Sequence, residues 1–185
     1  AARTADLERA RNEAELANML FSAVQWGRPA VIRYPRGHGP GVRIPESFSE
    51  VPLGKAEVLS EGTDVSLWAL GDMVQVAERV AAILARQGLK PGVVNARFVR
   101  PLDTDLLSKQ LASAQSIVAI ENGVVKGGFG SEVEQFLVAN RYEGSFLSFG
   151  WPDEFIPQGK TADLMAKYGL TPETIAAAIL KEFVA

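Results

Sequence analysis

The chain contains no cysteine and a single histidine, His38, among its 185 residues. The first absence excludes disulfides, zinc–thiolate sites and cysteine nucleophiles, and it is compatible with a cytoplasmic location. The second excludes any metal site built from several imidazoles. No apolar run approaches the roughly 20 residues needed to span a bilayer. The opening AARTADLERARNEAEL is too charged to read as a signal peptide. Net charge is also small: −3 gives no electrostatic reason to expect nucleic acid or a membrane as partner.

What is present suits a folded α/β protein. Hydrophobic residues make up 47% and charged residues 22%, enough to build a core. The organising stretch is Ser116 to Val138. Ser116 to Ile120 predicts a short buried strand, Glu121-Asn122-Gly123 a polar turn, and Gly127, Gly128 and Gly130 a loop. Ser131 then predicts an N-cap, with Val133, Phe136 and Leu137 on the buried stripe of the helix that follows. The loop lacks the Lys-Ser/Thr of a P-loop and the spacing of G-x-G-x-x-G. Its glycines then let the backbone approach another domain, or take positive φ, rather than bind phosphate.

In chain order, Asn12 to Trp26 predicts a helix with Asn12 as N-cap, apolar at Leu16, Met19, Leu20, Ala23 and Val24, and open to extension by residues 1–11. Gly27 ends it. Ala30 to Tyr34 predicts a strand stopped by Pro35, which, with that lone helix, must complete another sheet. Residues 38–54 have linker character. A new unit starts near Lys55 with an edge strand, Lys55 to Leu59. Val65 to Leu70 follows as a buried strand. Val74 to Gln87 is an amphipathic helix with Val76, Val80, Ile83 and Leu84 on one face and Gly88 as its stop. Then come a strand at Val93 to Ala96, a helix capped by Asp103, the Ser116 strand, a strand at Ser145 to Phe149, and helices from Thr161 and Pro172. This alternation predicts a mostly parallel sheet with helices on both faces.

Candidate chemistry is sparse. Arg33 and Arg36 flank a strand end, where a guanidinium serves either as an anion contact or as an interdomain ion pair. His38 lies in a loop, where a solvated histidine is commoner than a catalytic one. Glu121 is placed for a general base, for bracing the glycine loop, or for pairing with an arginine across a domain contact. Trp151 to Pro157 reads as a docking loop.

Several words, in order, carry a resemblance: NEAELANML, AVIRYPRG, PLGKAEVL, NARFVRPLD, IENGVVKGGFGS and WPDEFIPQG. Together they resemble the C-terminal part of the 1-deoxy-D-xylulose-5-phosphate synthase family, thiamine diphosphate enzymes of the transketolase superfamily. The resemblance implies that residues 1–37 end a pyrimidine-binding domain, that 38–54 link, and that 55–185 form a transketolase C-terminal domain. That domain is expected to hold a five-stranded sheet with one antiparallel edge, at Lys55 to Leu59. It further implies Arg36 as a contact to the substrate phosphate, thiamine diphosphate and Mg²⁺ as cofactors of the complete enzyme, and a homodimer. No catalytic, cofactor or metal residue of the family falls within this chain, so the piece alone is expected to be inactive. A split small subunit of a related enzyme, or a non-catalytic domain of the same fold, are the alternatives.

Overall fold

The computed structural model describes residues 2–34 and 47–184, in two compact units, Ala1–Lys55 and Ala56–Ala185. In the first unit, α1 runs Ala2–Gln25. It passes through Asn12 rather than starting there, because the preceding Ala, Arg, Glu and Leu residues favour helix and contain no breaker. Gly27 stops it with φ +61°. Ser22 Oγ donates to Asn18 O (2.6 Å) and accepts from Val51 N–H (2.7 Å), while Asn18 Oδ1 accepts from Ser49 N–H (2.9 Å). Phe21 stacks on Phe48 at 5.7 Å. These contacts lay residues 48–51 along the helix.

The predicted strand at Ala30 to Tyr34 is not formed: these residues are irregular and Val31 is fully exposed. Within the expected stripe of α1, Leu20 and Val24 are exposed as well. A strand needs a ladder partner and an apolar stripe needs a sheet, and the described part of this unit offers neither.

The second unit is a five-stranded sheet in the order β1-β3-β2-β4-β5, with helices on both faces, as the alternation predicts. Its elements are β1 (Glu57–Ser60), β2 (Val65–Ala69), α2 (Met73–Arg86), β3 (Pro91–Asn95), α3 (Thr104–Leu111), β4 (Ser116–Val124), α4 (Phe129–Ala139), β5 (Ser145–Trp151), α5 (Thr161–Lys167) and α6 (Pro172–Val184). β1 is the antiparallel edge, paired to β3; the other pairings are parallel.

Alternation along the strands sends successive side chains to opposite layers. Val65, Leu67, Ala69, Val93, Val118 and Ile120 pack on Val74, Ala77, Val80 and Leu84 of α2 and on Ile175, Ala176 and Ile179 of α6. Trp68, Val94, Ile117 and Ala119 pack on Leu107 of α3 and on Phe129, Val133 and Leu137 of α4. The buried face of α2 is rotated from the predicted one. Met73, Val74 and Ala77 are enclosed, whereas Val76 and Ile83 only skirt the core. The helix packs on both the sheet and α6, and the fully buried Ala77 lies within that contact.

The helix ends follow local chemistry where that chemistry is local. Asp103 Oδ1 caps α3 through Leu106 N–H (3.2 Å), and its Oδ2 takes Ala56 N–H (3.0 Å). Gly88, at φ +88°, turns the chain out of α2, with Leu89 N–H bonded to Leu84 O. Thr171 and Thr174 bond reciprocally at the start of α6, beside Pro172.

Candidate functional site

In an open α/β sheet, ligands bind outside the carboxyl ends of the strands, at the point where the chain reverses its direction of travel across the sheet. Here the chain leaves β2 for β3 on one side and returns to β4 on the other, with α2 and α3 on opposite faces. The switch point therefore lies between the ends of β2 and β4. Asp72 follows β2, and Asn122 lies near the end of β4.

The protein's own side chains bridge that crevice. Asn122 Nδ2 donates to Asp72 Oδ2 at 2.7 Å, and Trp151 Nε1, at the end of β5, donates to Asn122 Oδ1 at 2.7 Å. The Trp151 ring meets Tyr168 edge-on at 5.8 Å. One asparagine amide thus ties together the exits of β2, β4 and β5.

Glu121, only 3% exposed, points the other way, into the glycine loop. Its Oε2 accepts Phe129 N–H (3.0 Å) and its Oε1 accepts Gly130 N–H (2.8 Å). Two of the donors that a helix N-terminus leaves orphaned are satisfied by a carboxylate, which the positive helix end also favours. A general base needs a free lone pair aimed at a substrate proton. These bonds instead describe bracing of the loop.

The same bonds correct two expectations. Glu121-Asn122-Gly123 is not a turn, since β4 continues to Val124 with a register irregularity against β5 between Ile120 and Val124. Ser131 is not the N-cap. Gly128 occupies that position, and Ser131 Oγ accepts Gly127 N–H (2.9 Å) while donating to Val125 O (2.8 Å). Once Glu121 supplies the capping acceptor from across the loop, Ser131 is left to close the turn.

The glycines are required by contact and conformation. Gly127 has φ +72°. A Cβ on Gly128 would lie 2.2 Å from Val124 O and 2.5 Å from Glu121 Oε2, and one on Gly130 would lie 2.0 Å from Ser148 Oγ. Among the described residues these contacts come from the same unit, so the close approach is internal to it rather than toward another domain.

Of the other sequence candidates, Arg36 and His38 lie outside the described residues, and Arg33 is exposed. In the Trp151 to Pro157 loop, Asp153 pairs with Lys126 at 2.9 Å and Phe155 is fully exposed. The NARFVRPLD segment is accounted for by structure: Arg97, in the left-handed region at φ +57°, pairs with Glu57 at 2.7 Å, and Arg100 pairs with Glu132. That pairing holds the Arg100 guanidinium above its ordinary pKa, through its hydrogen bond and then the charge of Glu132. The sequence places Asp72 in the Gly71-Asp72-Met73 loop at the end of β2 but gives no sign of its bond to Asn122, and it offers no signal for the parts played by Ser148 and Tyr168.

Among the described residues no group of three or more His, Cys, Asp or Glu is placed to hold a metal ion, and no helix is long and apolar enough to cross a membrane. These residues do not fit the binding of Mg²⁺ or of a diphosphate.

Comparison with known proteins gives a consistent picture. The family model described as transketolase, C-terminal domain, matches residues 54–175. The 1-deoxy-D-xylulose-5-phosphate synthase of Pelotomaculum thermopropionicum is 43% identical over 174 residues, covering 94% of this chain and 27% of that protein. The corresponding synthase of Halothermothrix orenii is 38% identical over 172 residues, covering 92% and 27%. The chain thus spans about a quarter of the length of these curated relatives. Among solved structures, a split gene transketolase described as an inactive beta4 tetramer is similar, with TM-score 0.67 and 33% identity over 76% of this chain and 46% of that one.

Proposed function

The chain belongs to the transketolase C-terminal domain family, and from that premise we propose that it is the C-terminal part of a 1-deoxy-D-xylulose-5-phosphate synthase. The observation that carries this reading is the reach of the similarity. The domain model begins at residue 54, whereas the match to a synthase takes in 94% of the chain and so extends well into the first unit. A similarity confined to the fold would stop at the domain edge.

On this reading residues 1–37 are the end of a pyrimidine-binding domain, 38–54 a linker and 55–185 the transketolase C-terminal domain. The exposed Leu20 and Val24 of α1 and the irregular Ala30 to Tyr34 segment are what such a domain end would leave when described by itself. The complete enzyme condenses pyruvate with glyceraldehyde 3-phosphate, with loss of carbon dioxide, to give a precursor of isoprenoids, thiamine and pyridoxal. It works with thiamine diphosphate and Mg²⁺, as a cytoplasmic homodimer. On this reading the cofactor-binding residues belong to the enzyme's other domains, the second unit forms a sheet whose strand-end edge is braced by its own side chains, and Arg36 contacts the substrate phosphate.

A second reading, a small subunit that meets its cofactor-binding partner in trans, is favoured by the likeness to the split gene transketolase. Sequencing the coding DNA ahead of Ala1 separates the two. A continuous reading frame carrying the GDG and downstream Asn of a metal–diphosphate site is expected. A start codon immediately before Ala1 would overturn the synthase reading and leave the split subunit.

A further inference from the structure

We propose that Asn122-Gly123 is a modification site: a deamidation site that the folded end of β4 holds closed, and whose opening breaks the brace between β2, β4 and β5. An asparagine followed by glycine has the least hindered backbone nitrogen that an amide side chain can meet, because glycine carries no Cβ. In the reaction Gly123 N gives up its proton to solvent base and bonds to Asn122 Cγ. The Cγ–Nδ2 bond breaks, and ammonia leaves. Water then opens the cyclic imide to aspartate or isoaspartate. The balance is one water consumed and one ammonia released, with no oxidant or reductant.

Two features of the fold oppose the first step. Gly123 is buried inside β4, away from the solvent base that must take its proton. The amide is also held at both ends, by Asp72 Oδ2 and by Trp151 Nε1, each at 2.7 Å. Attack therefore requires the strand end to open and the amide to leave both partners.

The product cannot return to the same arrangement. A carboxylate at position 122 would replace the N–H donor that now faces Asp72 with a second acceptor carrying the same charge, at hydrogen-bond distance. The isoaspartate form would in addition lengthen the backbone, where β4 and β5 are already out of register between Ile120 and Val124. One chemical event thus converts a bond across the switch point into a repulsion.

The test uses the full 185-residue chain in mildly alkaline buffer, folded or in guanidinium chloride, with peptide mass mapping and isoaspartate detection at residue 122. Conversion in the folded chain should be about tenfold or more slower than in denaturant, the protection being set by local opening. Equal rates, or no conversion in denaturant, would overturn the proposal. In a second arm, Asn122→Asp should lower the melting temperature, and adding Asp72→Asn should restore much of the loss. An Asn122→Asp chain that melts like the parent, or a double variant no more stable than the single one, would remove Asp72 from the argument and overturn the consequence drawn from it.

Discussion

Glu121 Oε1 accepts the N–H of Gly130 at 2.8 Å, and this bond from the strand interior to the first turn of a helix nine residues on sets the shape of the glycine loop. With its twin to Phe129 it uses both oxygens of a buried carboxylate. Glu121→Ala should therefore destabilise the domain by about 2–4 kcal/mol, since two buried donors lose a charged acceptor. Glu121→Gln, which keeps one carbonyl oxygen but turns an NH₂ toward an N–H, should fall between. Chemical denaturation of both variants measures this. A Glu121→Ala chain as stable as the parent would show that the clamp contributes nothing net.

The two packed glycines should respond differently. At Gly128 an added methyl meets the backbone oxygen of Val124, which cannot move without moving β4, so Gly128→Ala should cost about 2–4 kcal/mol. At Gly130 it meets Ser148 Oγ, a buried hydroxyl with no hydrogen bond to a described residue. Ser148→Ala alone should shift stability by less than about 1 kcal/mol. In that background Gly130→Ala should cost less than it does in the parent, Ser148 Cβ at 3.2 Å being the close contact that remains. Additive effects in the double-mutant cycle would exclude Ser148 as the cause.

How much of this was legible in the sequence follows from the range of each interaction. The helix begun by Asp103 was readable because the cap and the capped Leu106 lie within one turn. The strand Val65–Ala69 was readable because a short, mostly apolar run enclosed on both faces is bounded by turn residues. The end of β4 was not readable. Glu121 looks like a turn residue until the N–H groups that satisfy it, eight and nine residues away, are known. Asn122 and Asp72, 50 residues apart, share no pattern at all, and only the strand order brings them together. The segment Ala30 to Tyr34 has strand composition, yet composition supplies no partner strand.

A second long-range satisfier lies within the sheet. Gln110 Oε1 accepts both Trp68 Nε1 (2.6 Å) and Ser66 Oγ (2.7 Å), two donors on β2 side chains that are otherwise enclosed. Gln110→Leu should cost about 2–4 kcal/mol by leaving both unsatisfied. Adding Ser66→Ala should recover part of it, since the orphaned hydroxyl is then gone. Thermal melts of the three variants decide; a double variant no better than the single one would rule out the hydroxyl as a source of the loss.

Tyr142 gives the fold an alkaline weakness. Burial raises its phenol to about 12, and the hydroxyl donates to Ala114 O at 2.9 Å. Above the unfolded pKa of roughly 10 the unfolded chain releases this proton before the folded chain does, so ΔG of unfolding falls as pH rises. The contribution is whole below about pH 10 and is lost progressively toward the folded value of about 12. The stability gap between the parent and Tyr142→Phe should accordingly narrow across that window. A gap that stays constant would mean that the phenol titrates alike in both states.

The remaining prediction concerns Arg36, which lies outside the described residues and rests on the resemblance of its YPRG context. A planar guanidinium offers paired donors to phosphate oxygens, a bond of about 1.5–3 kcal/mol when charged. Since about 1.4 kcal/mol is tenfold, Arg36→Ala in the complete enzyme should raise KM for glyceraldehyde 3-phosphate by roughly 10- to 100-fold. KM for pyruvate, which has no phosphate, should stay within about twofold. Arg36→Lys should restore part of the loss, because it returns the charge without the fork. Equal effects on both substrates would remove Arg36 from the phosphate site. A lowered melting temperature with unchanged kinetics would assign it instead to an ion pair between domains.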